Sequence, residues 1–280
     1  MLLRCCGDKS LIMACEQVEF LSRMCYNLLE TDRRCVIVKI VFFGASHGVP
    51  EPNRRCSCAM IETGEARYFV DMGTQATEQL MTRGIPMDAV KTIFVSHMHG
   101  DHTDGLISFV DLCNWKFTAT HPIFYLPADT ERIKAAIGEW LACNGNKMRE
   151  FEFHQVQEGA LYDDGVLKVT AYRTLHTAAS YCYLIEAEGK RVFFSGDMCH
   201  KGPQNDFPTC IFEKPVDLAI CEAAHFRATE YLPLFKGQHH LKKLCFNHYS
   251  DRYLASVLEM KELLPEIPVV RAFDGLEITV

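Results

Sequence analysis

The chain has 280 residues and a formal net charge of −7, with hydrophobic and charged shares of 48% and 23%. This length and composition predict one soluble globular α/β domain, and exclude a disordered or fibrous chain. No apolar run is long enough to span a bilayer and no signal peptide opens the chain, so we expect a cytoplasmic protein without a membrane partner.

Predicted strands and helices alternate along most of the chain. Residues 1–35 form an N-terminal extension, which the spacing of apolar residues between 10 and 30 predicts to be helical, and residues 36–280 form the main domain. The predicted elements of this domain are a strand at 36–43, a hairpin at 57–71, a helix at 74–83, a strand ending at 96, helices at 103–117 and 130–142, strands between 150 and 196, a strand before His248, a helix at 251–263 and a short terminal strand. This order predicts two sheets packed face to face with helices outside.

The cysteines and the charge balance disfavour disulfides, a structural zinc site and long nucleic acid as a partner. Fourteen cysteines are scattered through strand and helix patterns without a signal peptide, which predicts free thiols rather than disulfides. Cys56 and Cys58 resemble half of a structural zinc site, but the sequence offers a second close pair only at Cys5 and Cys6. The acidic balance disfavours long nucleic acid as a partner, although short basic stretches such as Arg54-Arg55 keep that possibility open.

The most informative motif places four possible metal ligands within six positions. His97, His99, Asp101 and His102 follow an apolar run that is predicted to be a buried strand. His97 and His99 are two residues apart, so in an extended segment their imidazoles leave the same face. Gly100 lets the chain turn and sends Asp101 and His102 to a second position. One loop can therefore supply two metal ions.

Three more possible ligands stand far along the chain. His176, Asp197 and His248 each lie just past the end of a predicted strand. Open sheets gather functional residues outside the carboxyl ends of their strands, so we expect all these side chains to converge at one rim.

These motifs resemble those of the metallo-β-lactamase superfamily, in which a His-x-His-x-Asp-His loop is followed by His, Asp and His. The resemblance implies a four-layer αββα sandwich and a centre of two divalent metal ions. Zn²⁺ suits the donor set best, and Mn²⁺ or Fe²⁺ is also compatible with mixed nitrogen and oxygen donors. The resemblance also implies which residues hold each metal: His97, His99 and His176 the first, and Asp101, His102 and His248 the second, with Asp197 bridging them.

Within that superfamily, the chain is most similar to ribonuclease Z and its phosphodiesterase relatives. The similarity lies in residues 43–50, 52–55, 70–80 and 96–102 and continues in 193–197, 222–224 and 247–253. However, the chain lacks both the Gly/Pro/Lys-rich insertion that forms the tRNA-gripping arm and the His-Ser-Thr segment of that family. Processing of tRNA is therefore disfavoured, and a small phosphodiester, such as a cyclic nucleotide, is the preferred substrate.

The resemblance also suggests how catalysis would proceed. Two metal ions sharing one water lower its pKa to roughly 7, which predicts hydrolysis by a metal-bridged hydroxide. Asp101 is predicted to orient the nucleophile and take its proton. His225, oriented by Glu222, is a candidate acid for the leaving group. His47 is a candidate substrate contact, and Asp71 is predicted to hydrogen-bond the metal loop from behind.

Other functions stay open at this point. The chain could hydrolyse a carbonyl ester such as a lactone or thioester, or cleave RNA as ribonuclease Z does. It could also hold metal without catalysis, as a sensor or partner-binding subunit, although all seven ligand positions are intact. A homodimer is a further possibility.

Overall fold

The computed structural model of the protein describes residues 37–280. The predicted N-terminal helix lies outside these residues and stays a prediction. Within the described part of the chain, no helix is long and apolar enough to cross a bilayer. The cysteines there are all free, as predicted.

The described elements follow the predicted order, with three additions: a strand at Ile123–Leu126, a short helix at Leu232–Phe235 and a second short strand near residue 280. The strands are β1 (Val38–Gly44), β2 (Cys58–Thr63), β3 (Ala66–Val70), β4 (Val90–Phe94), β5 (Ile123–Leu126), β6 (Glu152–Gln155), β7 (Gly159–Asp163), β8 (Leu167–Arg173), β9 (Tyr181–Ala187), β10 (Lys190–Phe194), β11 (Leu218–Ala223), β12 (Leu244–Tyr249), β13 (Val269–Arg271) and β14 (Glu277–Thr279). The α-helices are α1 (Ala76–Thr82), α2 (Gly100–Thr103), α3 (Gly105–Trp115), α4 (Thr130–Ala142), α5 (Leu232–Phe235) and α6 (Leu254–Leu263).

The strands form two mixed sheets of seven. One has the order β14-β1-β2-β3-β4-β5-β6 and the other β13-β12-β11-β10-β9-β8-β7. The sheets pack through a core that includes Phe42, Tyr183 and Ile185. Helices cover the outer face of each sheet, through side chains such as Phe109 on one side and Met260 on the other. The predicted four-layer αββα sandwich is therefore confirmed.

Parallel strands in both sheets bring the segments with the candidate ligands to one rim. β3 runs parallel to β4 in the first sheet, and β10, β11 and β12 run parallel in the second. Asp71 follows β3 directly, and the 96–102 motif follows β4. Because parallel strands end on the same side, Asp71 lies beside the 96–102 motif. Gly196, after β10 in the other sheet, approaches this motif so closely that a Cβ there would lie 2.8 Å from the Ser96 Cβ.

His248 departs from its predicted place after a strand. It lies inside β12, where the pairing with β11 passes from Glu222 opposite Asn247 to Ala223 opposite Tyr249. His248 is thus the extra residue of a β-bulge, and its backbone adopts a left-handed φ of 47°. The bulge turns its side chain away from the regular strand alternation and towards the rim.

The metal motif also differs from a simple loop. Helix α2 begins at Gly100, so Asp101 and His102 lie on a helical turn and His99 is its N-cap residue. A break at Asp104 separates α2 from α3 within the predicted helix 103–117. Gly105 lets the start of α3 pack against the backbone of Thr74, because a Cβ there would lie 2.0 Å from the Thr74 carbonyl oxygen.

Candidate metal centre

Three histidines and one carboxylate oxygen form a first group of donors. His99 Nδ1 lies 2.9 Å from His97 Nε2 and 3.2 Å from His176 Nε2. Asp197 Oδ2 lies 3.6 Å from His97 Nε2 and 3.5 Å from His176 Nε2. The residues that the sequence assigns to one metal therefore face a single point from the segment after β4, the 174–180 loop and the segment after β10.

A second group of donors lies on the other side of Asp197. Asp197 Oδ1 is 3.4 Å from His102 Nε2 and 3.3 Å from His248 Nε2. Asp101 Oδ2 lies 3.4 Å from His102 Nε2 and 3.7 Å from His248 Nε2. The two oxygens of Asp197 thus face two separate donor groups, as a bridging carboxylate requires. All seven predicted ligands are brought together.

The spacing of the donor atoms matches metal coordination, whereas hydrogen bonds among the donors leave some of them without a partner. Zn²⁺ bonds of 2.0–2.1 Å in a tetrahedral site put neighbouring donors about 3.3 Å apart, within the range of separations found here. His102 Nε2 and Asp197 Oδ1 are buried and make no hydrogen bond within residues 37–280, although they face each other. Buried polar atoms rarely lack a partner, and a cation between them would supply one. The residues present therefore fit a pair of divalent metal ions.

Hydrogen bonds behind the histidines fix which ring nitrogen is free. His102 Nδ1 donates to Asp71 Oδ2 at 2.7 Å, and His248 Nδ1 donates to the Ser46 carbonyl at 3.1 Å. His97 Nδ1 lies 3.2 Å from Ser96 Oγ. In each case Nε2 keeps its lone pair for the centre.

Asp71 holds the metal loop as the sequence predicts. Its Oδ1 accepts a hydrogen bond of 2.7 Å from the Ser96 backbone N–H, and its Oδ2 accepts one of 3.0 Å from Ser96 Oγ. Asp71 itself has a left-handed φ of 60°, a conformation that non-glycine residues adopt where the surroundings enforce it. Two of the four non-glycine residues with a left-handed φ within residues 37–280, Asp71 and His248, thus lie at the candidate centre.

Burial and charge set the protonation of the donors. Burial lowers the pKa of His97, and the neighbouring His102 lowers it further, to about 2. Burial raises the pKa of Asp101, but its hydrogen bond with His102 and the positive charge that His102 and His248 carry when protonated outweigh that effect and bring it down to about 2. A neutral imidazole and an ionised carboxylate are the forms that bind cations.

His225 and Glu222 lie beside the first donor group. His225 Nε2 is 3.7 Å from Asp197 Oδ2, and its Nδ1 is 2.9 Å from Glu222 Oε2. Burial lowers the pKa of His225, but the hydrogen bond and charge of Glu222, with the charge of Asp197, raise it overall to about 9. The predicted pair is thus assembled at the rim.

His47 lies on the loop that crosses in front of Asp101. Its Nε2 is 3.2 Å from Glu51 Oε1, and its side chain is 25% exposed. A Cβ on the adjacent Gly48 would lie 3.6 Å from Asp101 Oδ2, so this loop passes close to the second donor group. The position allows His47 to contact a bound substrate.

Two supporting groups were not predicted from the sequence. Ser96, next to His97 in the motif, links Asp71 to both His97 and His102 through its hydroxyl. Ser46 supports His248 with a backbone carbonyl, which no sequence pattern could indicate because its side chain is not involved. The proximity of Ser96 to the motif was the available indication.

Replacing Asp71 by Asn tests the support of the second donor group. An amide cannot accept both from Ser96 and from His102 Nδ1 as the carboxylate does, so His102 loses its fixed tautomer. We expect roughly 10–100-fold weaker binding of one zinc ion, measured by chelator competition. The exposed Asp163→Asn is the control, and equal affinity in the two variants would contradict this role for Asp71.

The chain matches the family model described as Anti-Pycsar protein Apyc1 over residues 38–261. Ribonuclease Z of Thermosynechococcus vestitus is 28% identical over 159 residues, which are 55% of this chain and 38% of that protein. Ribonuclease BN of Cronobacter sakazakii is 28% identical over 160 residues, which are 55% of this chain and 51% of that protein. The chain thus spans about half, or less, of the length of these curated relatives.

Solved structures share the fold. The metallo-β-lactamase fold protein YhfI from Bacillus subtilis has a TM-score of 0.69 and 19% identity, covering 87% of this chain and 100% of its own. A diphosphatase from the PhnP family has a TM-score of 0.64 and 18% identity, with coverage of 86% and 97%. Zn²⁺-bound PqqB from Methylobacterium extorquens has a TM-score of 0.60 and 12% identity, with coverage of 86% and 100%.

These similarities agree with the resemblance inferred from the motifs. The identities to solved structures are low enough that they show the fold alone, whereas the family model spans most of the chain. This protein therefore has the metallo-β-lactamase fold, is similar in sequence to ribonuclease Z and ribonuclease BN, and belongs to the Anti-Pycsar protein Apyc1 family.

Proposed function

We propose that the protein is a dinuclear metal-dependent phosphodiesterase that hydrolyses a small phosphodiester, with cyclic nucleotides as the first class to test. The observation that carries the proposal is the bridging position of Asp197, whose two oxygens face two separate sets of nitrogen and oxygen donors. Divalent ions held there would ionise water at neutral pH and neutralise charge on the phosphate oxygens. Zn²⁺ is the preferred ion, with Mn²⁺ or Fe²⁺ as alternatives.

Asp101 would act as the base. Its Oδ2 faces His102 and His248, so its other oxygen is left to orient the attacking water and accept its proton. The side chain is 12% exposed, which keeps it accessible from the rim. The same carboxylate would therefore serve as a metal ligand and as a proton acceptor.

His225 would donate a proton to the leaving oxygen. Glu222 holds the ring through Nδ1, and Glu222 is itself fixed by backbone N–H groups of Met198 at 2.8 Å and Ala224 at 3.0 Å. This leaves His225 Nε2 directed towards the centre, and the ring is 28% exposed. A leaving alkoxide needs such a proton, since it is a poor leaving group without one.

Replacing His225 by Ala is expected to have an effect that depends on the leaving group. Hydrolysis of a cyclic nucleotide, whose leaving group is a sugar alkoxide, should slow by about 10²-fold or more. Hydrolysis of bis(p-nitrophenyl) phosphate should slow far less, because p-nitrophenolate leaves without a proton. Steady-state kcat on the two substrates measures the difference.

The matched control is His154→Ala. His154 also pairs with a glutamate, Glu152, at 2.5 Å, but on the exposed edge strand β6. The His154→Ala variant should hydrolyse both substrates at the wild-type rate. Equal losses on both substrates in His225→Ala would contradict an acid role.

The surroundings of the centre favour a small substrate. The protein carries a net charge of −7, whereas grip on a long nucleic acid depends on unpaired Lys and Arg side chains. The two arginines that follow His47 in the same loop already have acidic partners. Arg54 pairs with Glu51 and Asp251, and Arg55 lies 3.4 Å from Asp274. Neither is free to follow a phosphate backbone.

A substrate panel tests the proposal. Purified protein loaded with Zn²⁺ or Mn²⁺ should hydrolyse bis(p-nitrophenyl) phosphate and at least one cyclic nucleotide, with competitive inhibition by phosphate analogues. Brisk hydrolysis of lactones or thioesters without any phosphodiesterase activity would replace the proposal by a carbonyl hydrolase.

RNA cleavage is the second candidate, because the curated relatives named above are Ribonuclease Z and Ribonuclease BN. A precursor tRNA assayed beside the small substrates distinguishes the two. Specific cleavage of the RNA at rates above those on cyclic nucleotides would favour the endonuclease.

A further inference from the structure

His176 is held differently from His97, His102 and His248. His97, His102 and His248 each have a hydrogen bond to the ring nitrogen that faces away from the donor groups. Within residues 37–280 the structure gives His176 Nδ1 no such partner. The position of this ring therefore depends on the backbone of the 174–180 loop, which carries no regular structure and must be anchored by other contacts.

Asp206 supplies such an anchor. Its Oδ2 accepts a hydrogen bond of 2.7 Å from the Leu175 backbone N–H and another of 2.8 Å from the Cys199 backbone N–H. Leu175 is adjacent to His176, and Cys199 is two residues after Asp197. One carboxylate oxygen thus ties together two of the three segments that supply ligands to the first donor group.

The neighbouring contacts place Asp206 firmly. Pro203 and Phe207, on either side of it, are buried, and the Phe207 N–H donates to the Pro203 carbonyl at 2.9 Å. A second tie between the same loops is the buried Thr174, whose Oγ1 donates to the Asp197 carbonyl at 3.0 Å. Asp206 lies 31 residues from Leu175, so the contact is a tertiary one.

We propose that Asp206 is a positioning residue for the first metal site, which it orders by holding the His176 and Asp197 loops in register. The inference rests on the metal centre proposed above. Its effect should be larger at the first site, because the second donor group has separate supports in Asp71 and Ser46 and shares only Asp197 with the first. Loss of Asp206 should therefore weaken the first metal ion more than the second.

Three variants separate the hydrogen bonds from the charge. Asp206→Ala removes the acceptor. Asp206→Asn keeps an oxygen that can accept from both N–H groups but removes the charge, and Asp206→Glu keeps the charge but displaces the oxygen by one methylene. Asp217→Ala is the matched control. Asp217 also accepts a hydrogen bond from a backbone N–H, that of Arg191 at 2.9 Å, but it lies at the end of β10 and β11 that is far from the metal centre.

Chelator competition with zinc and the visible spectrum of the Co²⁺-loaded protein are the readouts. We expect Asp206→Ala to bind one ion about 10–100-fold more weakly and to alter the Co²⁺ spectrum, with Asp206→Asn close to wild type and Asp206→Glu in between. Asp217→Ala should change thermal stability only. If Asp206→Ala fails to fold, the zinc affinities of the Asn and Glu variants still test the proposal, which predicts tighter binding by the Asn variant.

The contradicting outcomes are distinct. Wild-type affinity and spectrum in Asp206→Ala, or a Glu variant that binds better than the Asn variant, would overturn the role of Asp206 while the metal centre stands. A wild-type protein that takes up no zinc would instead refute the metal centre itself.

Discussion

Asp197→Asn is expected to lose at least about 10³-fold in kcat/KM for phosphodiester hydrolysis and to bind fewer metal ions per chain. A metal centre contributes several kcal/mol of charge stabilisation, and each 1.36 kcal/mol changes a rate tenfold. The amide has nearly the same volume as the carboxylate, but it offers one oxygen in place of two. Its NH₂ group would face one of the two donor groups and has no lone pair with which to bind a metal ion there. Kinetics with Zn²⁺ at saturation, together with metal content, measure the loss.

Asp217→Asn provides the control for that substitution. Asp217 lies at the far end of the same sheet, where it accepts from the Arg191 N–H and pairs with Lys242 at 2.8 Å. It should retain wild-type metal content and kinetics. An Asp197→Asn protein with full metal content and a rate within tenfold of wild type would show that Asp197 does not bridge two ions.

Gly73→Ala is expected to have the second largest effect. A Cβ at Gly73 would lie 1.7 Å from the Asp101 carbonyl oxygen and 2.4 Å from its carbonyl carbon. The Met72 N–H donates to the His102 carbonyl at 2.8 Å, so this segment cannot withdraw without pulling on α2. We expect a loss of about 3 kcal/mol or more in the free energy of unfolding, since overpacked backbone must shift. Weaker zinc binding should accompany it.

The measurement is thermal unfolding with and without zinc. For a domain of this size the loss corresponds to a Tm lower by roughly 6–12 °C. Gly138→Ala, within helix α4, is the control, because a Cβ there would meet no atom within 4 Å outside its own helix turns. Alanine should stabilise that helix by up to about 1 kcal/mol. A Gly73→Ala protein as stable as wild type would contradict the close approach of residues 73 and 101.

Much of the fold and the donor set could be predicted because local patterns coincide with tertiary ones. The apolar run before His97 is the buried strand β4, and most of the ligands follow strand ends that parallel pairing brings together. The histidine and aspartate spacing is a property of the chain itself. The ligand motif can therefore be identified from the sequence without knowing how the strands pack.

The remaining features depend on contacts that spacing does not encode. His248 lies in a strand because a bulge absorbs it, and the bulge follows from pairing with β11. Asp206 contacts the N–H of Leu175 through a loop that has no periodic pattern, so nothing in the sequence distinguishes it from a surface carboxylate. The support of His248 comes from a backbone carbonyl, which every residue possesses.

Anomalous X-ray scattering at the zinc edge, from a crystal of the zinc-loaded protein, tests the metal centre most directly. We predict two peaks, one among His97, His99 and His176 and the other among Asp101, His102 and His248, with Asp197 between them. The absence of any peak at these side chains, at zinc concentrations that saturate the protein, would contradict the dinuclear centre and the hydrolytic function proposed from it.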